Sequence, residues 1–580
     1  MNQESKEKNL LRRLALGDSF RRNAKRLRGK TAIVFPNPGG GIVQYTWDET
    51  NRAMNRIACG LLSLGIEKGD KVAIYSLNCP QFLFLIYGLA KIGAVITPVN
   101  VTFKDDDIKF VIKDSGAKML FIEDTFIDRM TPVLTGLTGI RFGFIGVTGG
   151  KKKPDGWVDI AELLDRHSEE EPEVEITGDD IATITYTSGT EALPKGVMLT
   201  HGNYYAAASS VQAGQYLDVR QDDIATITYT SGTEALPKGV MLTHGNYYAA
   251  ASSVQAGQYL DVRQDDIGLQ ALPLFYTGGI AVATFSLMLG TTVILVYMPD
   301  AAIIAGMIRA HGVTYTVLPP TLYNRMLHVP GIENEAKSLR KCVSFGSTIP
   351  EQMIVNWCEI APQIEWVSLY ASSELTALGI SGCFRRIEDI PDRDMNWVGK
   401  PAPALELRIV DADGNDVSTG EAGELIFRGP AVMKGYFGNE EKNHAIFTGG
   451  WYHSGDVARM NQNGDVFFMD RIKDMVKSGG ENISSASIEF LISTHPKVTE
   501  CAAFGVPHPD WMEALTVAII PKPGETLDEN EILQFCRGKL PRYKVPKYIL
   551  IVDEFPRNPT GKILKKELRK KYNDIATKGV

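Results

Sequence analysis

Residues 179–221 and 222–264 are identical at every position, a 43-residue segment in tandem, and Asp265-Asp-Ile267 restates its first three residues. An undiverged repeat constrains the fold because any surface one copy can pair with is equally available to the other. Stacked-repeat architectures need three or more units, each burying its face on the next, so two copies do not make one. The absence of drift points to a recent tandem duplication or a sequence-assembly artefact. Removing one 43-residue copy from the 580 leaves a continuous frame of 537 residues. An extra segment costs little in closure entropy, but this one carries apolar strand and helix surface that has to be buried. Both junctions read Asp-Asp-Ile, so the sequence does not choose between the copies.

Each copy opens on an apolar, β-branched run, Ile181-Ala-Thr-Ile-Thr-Tyr186 in the first, which reads as a strand. It continues Thr187-Ser-Gly-Thr-Glu-Ala-Leu-Pro-Lys-Gly196, and the same string returns from Thr230 to Gly239. Hydroxyls from Thr187, Ser188 and Thr190, backbone N–H groups freed by Gly189, and the Lys195 cation together suit a polyphosphate. Thr230, Ser231, Gly232, Thr233 and Lys238 are their counterparts. This is not the Gly-Lys-Ser/Thr phosphate loop, because Pro194 precedes the lysine and Gly196 follows it. The next helix is expected only near Thr200 or Asn203.

A chain of 580 residues exceeds one core, so two or more domains are expected. A net charge of −8 argues against a nucleic-acid partner. The tail lysines Lys562, Lys565, Lys566, Lys570 and Lys571 alternate with Leu564, Glu567 and Leu568 and read as a solvated helix face. Seven scattered cysteines without metal or redox spacing suit a reducing cytoplasm, and the first residues are no signal peptide. The apolar runs 82–99 and 282–298 are broken by Lys91 with Gly93 and by Gly290-Thr-Thr292, so each reads as a buried helix followed by a strand, not a membrane span.

Along the chain, Thr46-Trp-Asp-Glu49 is a capping box opening a helix through about residue 64. A strand at 72–75, helix at 81–92, strand at 94–98, helix at 105–113 and strand at 118–122 follow. Such alternation implies an α/β fold with doubly covered, largely parallel sheets. Residues 148–178 read as a surface connection. Leu269-Gln-Ala-Leu-Pro-Leu-Phe-Tyr-Thr-Gly-Gly279 reads as a strand opening into a glycine turn, followed by further helix–strand units to 327. Strands at 405–410, 423–428 and 465–469 form a β-rich subdomain. After Asp470 comes a compact α+β pattern, giving domains 1–470 and 471–580: helix 487–494, strands 500–506 and 515–520, helix 529–540, strand 547–552.

Further segments complete a pattern. Tyr186-Thr-Ser-Gly-Thr-Glu-Ala-Leu-Pro-Lys-Gly196, Ser344-Phe-Gly-Ser347, Tyr370-Ala-Ser-Ser-Glu374, Gly423–Tyr436, Trp451-Tyr-His-Ser-Gly-Asp456, Asp470-Arg-Ile-Lys-Asp474 through Asn482, and Pro556-Arg-Asn-Pro-Thr-Gly-Lys562 occur in order. Together they resemble the adenylate-forming enzymes: acyl-CoA synthetases, luciferases and peptide-synthetase adenylation domains. The resemblance covers nearly the whole chain and implies a small, mobile C-terminal lid domain.

The resemblance also implies roles. One copy of the Thr-Ser-Gly-Thr loop would hold ATP phosphates, with Thr190 or Thr233 beside Mg²⁺. Gly346 and Ser347 would lie along adenine, and Tyr370 would stack on it, with Ala371, Ser372 and Ser373 alongside. Glu374 would ligate Mg²⁺. Ala371 and Ser373 depart from the family's Gly and Thr. Asp456 would accept from the ribose hydroxyls and Arg471 would reach ribose or phosphate. Lys473 would be the hinge, Gly480 would flank the pantetheine arm of coenzyme A, and Lys562 would be the adenylation lysine. His453 lies within the ribose segment without a metal or triad partner in sequence. The segment Gly423–Tyr436 is structural.

The implied reaction joins a carboxylic acid to CoA through an acyl-adenylate, with release of diphosphate and AMP. Amino-acid-activating relatives place Asp where this chain has Tyr276, which argues against an amino acid. Leu274, Phe275, Tyr276, Gly278, Gly279 and residues 317–322 would line an apolar tunnel, suited to medium- or long-chain fatty acids. The alternatives are an aryl acid, transfer of the acyl group to a carrier protein, and a non-catalytic binding protein if the duplication blocks the site. A membrane span is not expected; peripheral membrane association and a homodimer stay open.

Overall fold

The structure is a computed structural model of the chain. It describes residues 18–174, 176, 262–375, 379–402, 405–429, 432, 435–436, 440–556 and 563–578, and in the repeat the strands 181–187, 195–200, 224–230 and 238–243. Backbone contacts divide the chain into two units, Met1–Glu406 with Arg428–Gly450, and Leu407–Phe427 with Trp451–Val580. The position of the sequence-based division, 470, lies within the second unit.

The first unit begins with β1 (Thr31–Pro36), β2 (Ile42–Thr46), α1 (Trp47–Ser63), β3 (Lys71–Tyr75), α2 (Pro80–Lys91), β4 (Val95–Pro98), α3 (Asp105–Asp114), β5 (Ala117–Glu123), β6 (Arg141–Ile145) and β7 (Val158–Asp159). The repeat supplies β8 (Ile181–Thr187), β9 (Lys195–Thr200), β10 (Ile224–Thr230) and β11 (Lys238–Thr243). Then come β12 (Ile267–Gln270), α4 (Thr277–Leu289), β13 (Thr292–Leu295), β14 (Tyr315–Leu318), β15 (Lys341–Phe345), β16 (Glu365–Tyr370), β17 (Ile380–Phe384) and β18 (Trp397–Pro401).

The capping box at α1 is formed: Thr46 Oγ1 accepts from Glu49 N, and Glu49 accepts from Thr46 N at 2.8 Å. Helix α2 is almost wholly buried because apolar residues surround it. The apolar run 82–99 is therefore α2 followed by β4, and 282–298 is α4 followed by β13. No helix among the described residues is long and apolar enough to cross a membrane.

Two sheets organise the unit. One runs β18-β17-β16-β15-β14-β12-β13-β1-β2; the other runs from the short strand Gly435–Tyr436 through β11-β10-β9-β8-β4-β3-β5-β6-β7. The strands β3 to β7, and β1 with β12 to β16, pair in parallel, as the strand–helix alternation requires. The core between β3–β5 and α3 contains Ala73, Tyr75, Val95, Ile108, Val111, Leu120 and Ile122.

Two readings change. The connection 148–178 is not bare: it holds β7 and a helix at Ile160–Arg166, capped by Asp159. Its end is tied to the core by Asn55, which donates to Glu169 O at 2.7 Å, and by buried Lys91, which pairs with Glu171 at 2.6 Å. Glycine and lysine content hid this helix; the anchors of the connection are separated from it by 114 and 80 residues. The expected glycine turn at Gly278-Gly279 is instead the first turn of α4. A Cβ on Gly279 would lie 2.0 Å from Pro273 O, so the glycine serves a close backbone approach.

In the second unit, Ala422–Arg428, Trp451–Met460 and Val466–Arg471 form antiparallel pairs. Beyond them, Val498–His508 pairs antiparallel with Met512–Pro521, which pairs in parallel with Tyr548–Ile551. Helices Ser485–Ser493 and Glu529–Arg537 cover this sheet, burying Ile488, Ile492 and Ile532 against Ala503, Val517 and Ile549. The lysine-rich tail forms helix Lys565–Lys571, but it is not a purely solvated face. Leu568 is buried, and Lys565 is mostly covered, pairing with Glu489 at 2.7 Å and donating to Ser485 Oγ at 2.8 Å.

Candidate active site

Parallel pairing aligns strand ends, and that decides where the site of the first unit lies. Strands β12, β14, β15 and β16 are adjacent and parallel, in register at Leu269↔Thr316, Leu318↔Ser344 and Phe345↔Leu369. The chain therefore leaves their carboxyl ends on one edge, at Ala271, Pro319, Gly346 and Ala371. Ligands of open α/β sheets bind at such an edge. Segments that the family resemblance singled out thus follow these strand ends: Phe275 and Tyr276, residues 317–322, Gly346 with Ser347, and Tyr370 to Glu374. Gly346 turns the chain with φ +88°. Tyr370, Ala371, Ser372 and Ser373 are half-buried, and Glu374, in the 3-10 turn Ser373–Leu375, is buried.

Buried amides missed by the sequence reading hold the Leu272–Tyr276 wall. Asn78, just past the end of β3, accepts from Leu274 N at 2.8 Å and donates to Leu272 O at 3.1 Å and Val296 O at 3.0 Å. Asn100, just past β4, accepts from Thr102 N and Thr102 Oγ1, both at 2.9 Å. Its carbonyl being taken, the amide nitrogen donates to Tyr276 Oη at 3.1 Å, and Thr102 also hydrogen-bonds the phenol. Burial pushes the Tyr276 hydroxyl up to about 12. Tyr276 therefore presents a neutral ring whose polar tip is satisfied by protein. The only signal available in sequence was an Asn at the carboxyl end of a strand, in Leu77-Asn-Cys-Pro80 and Val99-Asn-Val101.

Both repeat copies are hairpins in the same sheet. Thr187↔Lys195 closes β8–β9, and Thr230↔Lys238 closes β10–β11. Ser188, Gly189, Thr190, Ser231, Gly232 and Thr233 lie outside the described residues, as do the expected helix after Thr200 and Lys562.

In the second unit, Asp456 and Arg471 face each other on neighbouring strands, Arg471 Nε 3.6 Å from Asp456 Oδ1. His453, whose sequence neighbours offer no metal or triad partner, is half-buried, and its Nδ1 is 2.8 Å from Glu424 Oε2, while Glu424 Oε1 accepts from Gly455 N at 3.0 Å. Glu424 precedes His453 by a whole hairpin, so sequence neighbours did not reveal it. Asp470 accepts from Ser485 Oγ at 2.8 Å and Ala486 N at 3.1 Å. Lys473 is exposed. Beside it, burial raises the Asp474 carboxyl, but Lys565, Arg569, Lys473 and Arg471 outweigh burial and hold it below its ordinary value. Arg569 pairs with Asp474 at 3.1 Å.

Gly480 and Gly479 form the two-residue turn of hairpin Val476–Ser478/Glu481–Ile483, with φ +85° and +61°. Positive φ at both central residues marks the hairpin turn that demands glycine or asparagine. The turn is thus one reason for glycine at position 480.

No group of three His, Cys, Asp or Glu able to hold a metal by itself occurs among the described residues. Glu374, a buried carboxylate in the turn that follows β16, is of the hard-oxygen type that Mg²⁺ takes, one or two at a time, together with phosphate and water oxygens.

Two family models match the chain: the AMP-binding enzyme, over residues 20–221 and 214–437, and the AMP-binding enzyme C-terminal domain, over 487–562. The two matched segments of the first overlap inside the repeat. The chain is 31% identical over 544 residues to the long-chain-fatty-acid–CoA ligase FadD13 of Mycobacterium tuberculosis, covering 92% of this chain and 95% of that one. It is 28% identical to the fatty acid–[acyl-carrier-protein] ligase ScoC of Streptomyces coeruleorubidus, covering 91% of each. Among solved structures, a fatty acyl CoA synthetase of Mycobacterium tuberculosis matches with TM-score 0.66 and 29% identity, covering 97% of this chain and 98% of that one.

Proposed function

Because this chain belongs to the AMP-binding enzyme family and is an AMP-forming acyl-CoA synthetase, we propose that it activates a medium- or long-chain fatty acid. The observation that carries the substrate reading is Tyr276. Its hydroxyl is held by Asn100 and Thr102, so Tyr276 itself offers the acid an aromatic ring whose polar tip is already occupied. Leu272, Val282 and Phe345 pack with buried Val317, Val343 and Val367 behind the same edge. An amino acid needs a carboxylate for its ammonium, and Tyr276 supplies none.

In the proposed reaction the acid's carboxylate attacks the α-phosphorus of ATP, and the bond to diphosphate breaks. The CoA thiol then attacks the acyl carbon, and AMP leaves. Such chemistry needs positioning and charge neutralisation more than a covalent protein group. We assign the leaving phosphates to one Thr-Ser-Gly-Thr loop and its lysine, and adenine to Gly346, Ser347 and Tyr370 with Ala371, Ser372 and Ser373. Glu374 takes Mg²⁺, which with Thr190 or Thr233 would neutralise phosphate charge. Asp456 and Arg471 take the ribose, which their facing positions support. Lys562 is assigned the carboxylate and α-phosphate, and Lys473 the pivot of a 471–580 lid that brings Gly480 to the thiol arm. Seven free cysteines support a cytoplasmic setting.

Acid-dependent AMP release, measured with and without CoA over fatty and aryl acids, tests the reading. Release that needs CoA and is fastest with a saturated acid of medium or long chain is expected. Preference for an aryl acid would overturn the substrate. Diphosphate release without a CoA thioester would favour transfer to a carrier protein, the reaction named for the ScoC relative.

A further inference from the structure

The two copies have the same sequence and the same internal pairing, yet they stand in different places. The first hairpin is attached on its inner side, where β8 pairs in parallel with β4 at Ile96↔Thr183. The backbone of β8 also packs against α2, and that of β9 against α3. It meets the second copy through both of its strands, β9 against β10 at Thr226↔Leu199 and β8 in parallel against β10 at Thr228↔Thr185. The second hairpin has other neighbours. Strand β11 pairs with Gly435–Tyr436, at Val240↔Tyr436 and Met241↔Gly435. The backbones of β10 and β11 both pack against Ser373–Leu375, the turn that carries Glu374.

We infer that the second copy, and not the first, serves the nucleotide site, with Lys238 as its phosphate cation and the β8–β9 hairpin as an inserted spacer in the sheet. The inference rests on the reading of the Thr-Ser-Gly-Thr loop and its lysine as the phosphate site. A phosphate held between that loop and a Glu374-bound cation needs both on one side of the molecule. Only one hairpin can adjoin a single Ser373–Leu375 turn through both of its strands, and here that hairpin is β10–β11. The match of β9 to β11 in sequence explains how the spacer fits: β9 can pair with β10 at the edge where a single-copy chain would pair with Gly435–Tyr436.

Deleting either copy yields the same 537-residue chain, so deletion cannot discriminate and point substitutions must. Lys195→Met and Lys238→Met keep the aliphatic stem and are compared in the full chain; the corresponding Lys→Met change in the 537-residue chain is the reference. Two readouts are taken, acid-dependent AMP release and the rise in melting temperature that ATP gives. Losing a charge-assisted contact to phosphate is worth about ten- to a hundredfold. The expected result is such a fall, with loss of the ATP-induced rise, for Lys238→Met, while Lys195→Met stays within about twofold. A fall for Lys195→Met alone assigns the site to the first copy and overturns the inference. Equal falls for both, or no fall for either while the 537-residue variant is inactivated, mean that the copies share or exchange the role, which also overturns it. If the lysine change is harmless even in the 537-residue chain, the phosphate-loop reading itself fails, a result separable from the choice of copy.

Discussion

The hairpins β8–β9 and β10–β11 are a comparison made within one molecule. Each pairs from its opening isoleucine, Ile181↔Thr200 and Ile224↔Thr243, and each slips register at the same point, before Thr183 and before Thr226. Local structure therefore follows sequence and repeats with it. The neighbours do not repeat: β4, α2 and α3 surround one hairpin, Ser373–Leu375 and Gly435–Tyr436 the other. Identical sequence therefore gives identical local pairing and does not fix the surroundings that a motif meets.

The largest effect that would sharpen this contrast is expected from Glu374→Gln, a fall of about 10²–10³ in AMP release, as for loss of a preorganised electrostatic group. In that background Lys238→Met should add less than it does alone, because the two act on one phosphate group, whereas Lys195→Met should add independently. A double-mutant cycle in which both lysines are additive would break the contrast. Next is excision of one copy. The 537-residue chain should keep AMP release within about threefold, since the remaining hairpin, identical in sequence, can take up the pairing with both β4 and Gly435–Tyr436; abolished activity with retained folding would make the spacer essential.

A third test moves the other unit and should leave the hairpins' ranking alone. Asp474→Asn removes the charge partner of Arg569 and Lys565 and should cost about 1–2 kcal/mol in unfolding. Because the Asp474 carboxyl lies below its ordinary value when folded, its contribution is complete above the ordinary carboxyl range near about 3.9. It is lost as pH falls through the folded value. Wild type should therefore lose stability in acid more steeply than Asp474→Asn, measured by melting from about pH 6 to 3. Identical slopes would remove the network. The smallest effect is expected for Tyr276→Phe. The ring stays, Asn100 loses an acceptor at about 1 kcal/mol of stability, and KM for a saturated acid should move less than about threefold. A large rise in that KM would make the hydroxyl a substrate ligand.

Much of this architecture is legible along the chain because its cues are local. The Thr46–Glu49 capping box, the interrupted run 82–99 and the strand–helix alternation each draw on residues a few positions apart. The candidate site is legible as motifs for the same reason, and parallel pairing then collects those on β12, β14, β15 and β16 along one edge. What stays hidden depends on distant partners. Asn78 and Asn100 are ordinary asparagines until Leu274 and Tyr276 arrive nearly two hundred positions later. Glu424 gives His453 its partner across a hairpin, and Lys565 leaves solvent only because Glu489 and Ser485 meet it. The helix at Ile160–Arg166 lay in a polar stretch whose packing against α1 no local pattern announces. Three Asp-Asp-Ile sequences each lead into a strand, at Ile181, Ile224 and Ile267, but the third strand joins the other sheet. Local pattern starts a strand and does not say which sheet receives it.

The position of the β8–β9 hairpin has a consequence for how this gene can change. Flanked by β4 and β10, the hairpin has to keep an alternation that pairs on both edges, whereas on the inference drawn above its lysine, serine and threonine would carry no ligand. Substitutions there would then be filtered only for strand pairing, while the same substitutions forty-three codons later would be filtered for chemistry. The two copies are identical now; descendants of this chain should diverge first in Thr187–Gly196, and the loop that stays unchanged will be the one selection reads.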